Sequence, residues 1–176
     1  AKVVLISDAL RYEVAQDVAA ALERERGGEV RMGSVQAMFP SITEMGMPAL
    51  LPHQGMTLNV ETGAVLLDGM PTGSTVDRQA VLQAAAPTGR ALSAAAYLDM
   101  PAADRKELLK SSEIVYLYHN KIDATGEKLA TESDVFDACA ETVDELVSIA
   151  KRVCTDAPGA RVTITSDHGF LYTANE

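Results

Sequence analysis

Five side chains of the sequence are suited to holding a cation beside a phosphate ester: Asp8, His119, Asp123, Asp167 and His168. The run Ser166-Asp167-His168-Gly169 sets a carboxylate next to an imidazole behind an apolar strand, and Gly169 permits the tight turn through which both could reach one ion. Taken alone, the same residues suit a polar turn with a surface histidine equally well. Asp8 is a third hard ligand at the end of the first strand, although Asp in that place often caps the helix that follows. Hydrolysing a phosphate ester through a covalent intermediate also needs a nucleophilic oxygen, a cation to lower its pKa and positive charge for the transferring phosphoryl oxygens. Thr43 is a candidate for that oxygen. It sits near a helix N-terminus, where free N–H groups favour an anion, yet Ser and Thr open many helices with no such role. Arg11 follows Asp8 closely and offers a guanidinium for bidentate contact with a substrate phosphate. A solvated helix face is its alternative reading, and Lys121 has the same two.

The elements that must position these groups follow from hydrophobic periodicity. Val3 to Ile6 reads as a buried strand, and Arg11 to Arg26 as a helix through Val14, Val18, Ala21 and Leu22, stopped by Gly27 and Gly28. A strand is expected from Val30 to Ala37, and Pro40 and Ser41 open a helix toward Pro52 that carries Thr43 near its start. Met56 to Asp68 reads as a small β-hairpin inserted on the rim around Glu61-Thr62-Gly63. Then come a helix from Val76 to Ala86, a short strand within Arg90 to Tyr97 and a helix from Ala102 to Lys110. A strand at Ile114 to Tyr118, a polar loop around Asn120 to Glu127, a long helix over Ser133 to Val153 and a strand at Arg161 to Thr165 complete the pattern. Strands alternating with helices imply an α/β fold with a mainly parallel, doubly wound sheet and helices on both faces. In such sheets ligands bind beyond the carboxyl ends of the strands. All five side chains named at the outset follow strand ends, so residues distant in sequence can gather along one edge.

Composition sets the limits. A chain of 176 residues, 47% of them hydrophobic, suits a single domain over 1–176 with a sizeable core. The net charge of −10 disfavours a nucleic-acid binder held mainly by phosphate contacts, but not a nuclease, because a carboxylate site is acidic until metals fill it. Cys139 and Cys154 have no CxxC or ligand spacing and read as buried free thiols. No stretch approaches the roughly 20 apolar residues of a membrane helix, so the expectation is a cytoplasmic protein with no membrane partner. The chain starts in a strand without Met and stops just after a strand-end motif, which reads as a domain of a longer protein.

Four segments together, Ser7-Asp8-Ala9-Leu10-Arg11-Tyr12-Glu13, Pro40-Ser41-Ile42-Thr43, Tyr118-His119-Asn120-Lys121-Ile122-Asp123 and Asp167-His168-Gly169-Phe170, resemble the PglZ domain family of the alkaline phosphatase superfamily. The resemblance spans nearly the whole chain. Such domains occur in BREX-type phage-resistance systems and as effector domains of some bacterial response regulators. The resemblance implies an alkaline phosphatase-like core in which Asp8, Thr43, Asp167 and His168 surround one metal, Thr43 is the nucleophile and the Asp123 loop contributes to a second metal. One or two zinc ions are implied, and ligands of this type also suit manganese. The superfamily's second site takes an Asp, a His shortly after it and another His well downstream of the Asp-His pair. This sequence departs from that pattern: His119 precedes Asp123, Glu127 or Glu132 are the available substitutes, and no residue follows Glu176.

The function these readings lead to is a metal-dependent phosphoesterase or phosphodiesterase acting through Thr43 in phage defence or signalling. Its substrate would be a nucleic acid, a cyclic nucleotide or a smaller ester, and its partners the other domains of the parent protein and other BREX components. The alternative is a catalytically degenerate, metal-binding interaction module, since a fold does not fix its function. A nucleotide switch is suggested by Asn120-Lys121-Ile122-Asp123, but no glycine-rich phosphate loop accompanies that tetrapeptide.

Overall fold

The computed structural model describes residues 1–25, 28–126 and 134–170. Four parallel strands form its main sheet: β1 (Lys2–Ser7), β5 (Arg90–Ser93), β6 (Val115–His119) and β7 (Arg161–Thr165), in the order β5-β6-β1-β7. The apolar strands alternate between two cores. Val3, Leu5, Val115 and Leu117 face one core, shared with α1 (Tyr12–Arg24), α5 (Ala102–Ser111) and α7 (Val135–Asp156). Ile6, Ala91 and Tyr116 face the other, against α2 (Thr43–Ala49), α3 (Thr75–Ala85) and a small second sheet. Burial on both faces is what parallel strands require, and the doubly wound architecture is the one the sequence implies.

The second sheet is antiparallel, with β2 (Met56–Leu58), β3 (Val65–Leu67) and β4 (Met70–Pro71) in order. The hairpin expected at Met56–Asp68 thus gains a third strand. Asp68 and Gly69, both at positive φ, form the two-residue turn that adds it. The Asp68 carboxylate accepts from the N–H groups of Gln54 and Gly55 at 3.0 and 2.7 Å, which ties the insertion to the main chain leaving α2.

Several local expectations are corrected. Residues 30–37 form no strand, and Val35 is 84% exposed: alternation alone makes no strand where nothing pairs with it. After Ser93 the chain turns helical as α4 (Ala94–Asp99), because the Ser93 hydroxyl accepts from Ala96 N–H at 3.1 Å and three alanines favour the helix. The stretch read as a polar loop after β6 contains the short helix α6 (Lys121–Gly126). Cys139 is buried, but Cys154 is exposed. Helix α1 ends at Arg24, ahead of the glycine pair, of which Gly27 lies outside the described residues. Among the described residues no helix is long and apolar enough to cross a membrane.

Candidate metal centre

Asp8 is the first residue beyond β1. Its N–H donates to the His119 carbonyl at 2.8 Å, extending the β1–β6 ladder by one bond, and Leu10 N–H then closes a turn on the Ser7 carbonyl at 3.3 Å. The turn puts Ala9 at φ +59, a left-handed conformation unfavourable for an L residue. Asp167, just past β7, supports it: Asp167 Oδ1 accepts from Ala9 N–H at 3.3 Å. One carboxylate oxygen of Asp167 therefore braces the turn that carries Asp8, and the other, Oδ2, is left facing His168.

The His168 ring is oriented by its own strand end. Nδ1 lies 2.8 Å from the Gly169 carbonyl, which can only accept, so Nδ1 bears the proton and the Nε2 of a neutral ring presents a lone pair. Nε2 lies 2.9 Å from Thr43 Oγ1, 3.4 Å from Asp8 Oδ1 and 3.5 Å from Asp167 Oδ2. Thr43 is the first residue of α2, a helix of seven residues that buries Gly46, Met47 and Pro48. Gly46, one turn on, lies directly against the Asp167 backbone.

Asp8 and Asp167 are 4% and 2% exposed, and among the described residues Asp8 Oδ1 and Asp167 Oδ2 have no hydrogen-bond partner. Two inward carboxylate oxygens and an imidazole lone pair repel one another unless something positive lies among them. Asp123, in the first turn of α6, joins them: ligand atoms of Asp8, Asp123 and His168 all lie within 4.8 Å of one another. Burial, then the charges of Asp167 and Asp123, raise the Asp8 carboxyl to about 7, against a smaller opposing effect of His168. The donor set fits a divalent cation on chemistry alone: hard carboxylates, one imidazole, and unpartnered oxygens aimed at a common point.

Without metal, the raised Asp8 pKa has a defined consequence. The folded chain holds this proton up to about pH 7, the unfolded chain only to its ordinary 3.8. The contribution of Asp8 to stability therefore falls as pH rises from about 4 to 7 and stays low above that. Melting of metal-free protein at pH 5.5 and 8 should show the wild type losing more stability at the higher pH than an Asp8→Asn variant. Equal losses in the two would contradict the assignment.

The structure does not bring every expected residue to this group. His119 is the last residue of β6, and both of its ring nitrogens are engaged elsewhere, Nδ1 with Ser7 Oγ at 3.0 Å and Nε2 with Glu145 Oε2 at 2.8 Å. His119 is not brought to this group, because its side chain points with Val115 and Leu117 toward α7. The Lys121 ammonium is held by Glu141 and by Glu145, the latter at 2.6 Å, so it straps α6 to α7. Arg11 pairs with Glu13 and stacks on the Phe170 ring at 4.9 Å, which places it beside the His168-Gly169 turn. A cavity of about 200 Å³ there is lined by Arg11, Tyr12, Ser34, Ser166 and His168. Glu127 and Glu132 lie outside the described residues. Sequence reasoning passed over Ser7, Gly46 and Glu145; a glycine inside a short helix was the one available signal of close packing.

The family model described as the BREX system PglZ alkaline phosphatase-like domain matches residues 1–176. The alkaline phosphatase-like protein BrxZ of Escherichia coli O9:H4 (strain HS) is 35% identical over 170 residues, covering 96% of this chain and 19% of that protein. The alkaline phosphatase-like protein PglZ of Bacillus cereus (strain H3081.97) is 34% identical over 172 residues, covering 96% and 20%. The chain thus spans about a fifth of the length of these curated relatives. No solved structure gives a significant match.

Proposed function

The chain belongs to the PglZ family of BREX alkaline phosphatase-like domains, and from that premise we propose that residues 1–176 are the catalytic core of a longer, cytoplasmic, metal-dependent phosphoesterase that uses Thr43 as its nucleophile. The observation that carries the reading is the convergence of Thr43 Oγ1 on His168 Nε2 at 2.9 Å, beside two buried carboxylates whose inward oxygens have no hydrogen-bond partner among the described residues. Asp8, Asp167, His168 and Asp123 would hold one divalent cation, zinc or manganese. When bound, such an ion lowers the pKa of a neighbouring hydroxyl and neutralises phosphoryl oxygens. Thr43 Oγ would attack phosphorus, the ester oxygen would leave as an alcohol, and water would then release phosphate, or a phosphomonoester from a diester, from Thr43. Arg11, at the rim of the His168 turn, would exchange its contact with Glu13 for an incoming phosphate. The engagement of His119 with Ser7 and Glu145 favours one cation over two. Substrates are phosphomono- or phosphodiesters, with nucleic acid and cyclic nucleotide as the classes to test first, and the other components of a BREX system are the proposed partners.

The test is hydrolysis of a phosphomonoester and a phosphodiester by the full-length protein before chelation, after it, and after return of Zn2+ or Mn2+. Turnover lost on chelation and restored by one of these ions is expected. Cation binding without turnover of any ester would make the domain an interaction module instead.

A further inference from the structure

β1 and β6 end side by side, with Ser7 paired to His119. Ser7, Leu5 and Val3 share one face of β1, and His119, Leu117 and Val115 the same face of β6, so both polar residues point toward α7. There Glu145 Oε2 lies 2.8 Å from His119 Nε2. A carboxylate only accepts, so Nε2 carries the proton, and Nδ1 of the neutral ring accepts from the Ser7 hydroxyl at 3.0 Å. The order Glu, His, Ser looks like the activation of a serine nucleophile. Ser7 is 0% exposed, however, and no substrate reaches it.

What the chain of hydrogen bonds reaches is Asp8. His119 grips the end of β1 twice, by its ring on the Ser7 hydroxyl and by its carbonyl on the Asp8 N–H. Glu145 acts on a second element as well: its other oxygen, Oε1, accepts from Lys121 Nζ at 2.6 Å. Lys121 opens α6, and Asp123 lies two residues further along that helix. One carboxylate on α7 is thus tied, through His119 and Ser7 on one side and through Lys121 on the other, to the backbones that launch Asp8 and Asp123. We propose that Glu145 and His119 are positioning residues that hold these two ligands at the separation a cation requires. The inference rests on the cation reading of the Asp8, Asp123 and His168 group. Groups that orient metal ligands in this way typically alter affinity about 10–100-fold when removed.

The experiment is calorimetric titration of the full-length protein with Zn2+ and with Mn2+, alongside melting of the metal-free protein. Glu145→Ala should weaken binding about 10–100-fold and lower melting only modestly, because it leaves the buried His119 Nε2–H without its acceptor while Glu145 itself is 43% exposed. Glu145→Gln keeps one acceptor and should recover part of the loss. Glu141→Ala, which removes the other partner of Lys121 but nothing from His119, should stay within about twofold, as surface changes do. His119→Ala should match Glu145→Ala, and if it fails to fold, the Glu145 series decides alone. Binding by Glu145→Ala equal to wild type overturns the inference while leaving the cation site standing, provided that Asp8→Ala abolishes binding. No binding by the wild type overturns both.

Discussion

Replacing Thr43 by alanine should lower metal-dependent ester hydrolysis by the full-length protein by about 10⁴-fold or more, the scale on which loss of a covalent nucleophile acts, while most of the cation affinity survives. The two readouts separate because Thr43 and the acidic groups contribute different things. Asp8, Asp167 and Asp123 supply the negative charge that a divalent ion needs, and Thr43 supplies a neutral oxygen that reaches the same point, 2.9 Å from His168 Nε2. Thr43→Ser retains that oxygen without the methyl group and should keep a large part of the activity. Acid quenching during turnover should trap a phosphoryl group on the peptide that contains Thr43. Full metal-dependent turnover by Thr43→Ala would remove the covalent mechanism and leave direct attack by water as the chemistry.

Most of the framework behind that prediction was legible in the sequence, for a physical reason: strands buried on both faces must be apolar throughout, and Val3-Val4-Leu5-Ile6 and Val115-Tyr116-Leu117-Tyr118 are. A parallel sheet then dictates where its loops gather, so Asp8 and Asp167 emerge on adjacent strands, β1 and β7, at the same edge. The same rule does not carry the His119 ring to that group. His119 is the last residue of β6, where the strict period of two still governs, and an odd-numbered residue there faces α7 with Val115 and Leu117 rather than the edge. The period was available in the sequence, but the strand was read one residue short. Residues 30–37 show the converse error, a plausible local pattern with no neighbouring strand to pair with. Glu145 carried no signal, because an acid on the flank of a long amphipathic helix is what solvent exposure alone would select. Its role appears only when β6 is seen to end and α6 to begin beside it.

Gly46 is the position where a single methyl group should do the most damage. A Cβ there would lie 2.5 Å from the Asp167 carbonyl oxygen, 2.8 Å from its carbonyl carbon and 2.9 Å from its Cβ. These are backbone atoms and the root of a side chain, so no rotamer change relieves the contact, and either α2 or the strand end after β7 must move. Helix propensity favours alanine over glycine by about 1 kcal/mol, which opposes the clash. Overpacking against backbone costs about 1–3 kcal/mol and sometimes more, and three contacts below 3.0 Å put this site at the upper end, so a net loss of stability is expected in urea denaturation. The functional effect should be larger still. Gly46 lies between the two halves of the centre, with Thr43 one turn before it on α2 and Asp167 and His168 across the contact. Movement that relieves the clash withdraws the Thr43 oxygen from His168, and a displacement of about 1 Å at reacting groups can cost about 10²-fold in rate. Gly46→Ala should therefore lose at least that much turnover at temperatures where it remains folded, with weaker cation binding wherever Asp167 is the part that yields. Wild-type turnover and an unchanged urea midpoint in Gly46→Ala would mean that α2 does not press on Asp167, and the approach of Thr43 to the metal centre would lose its structural basis.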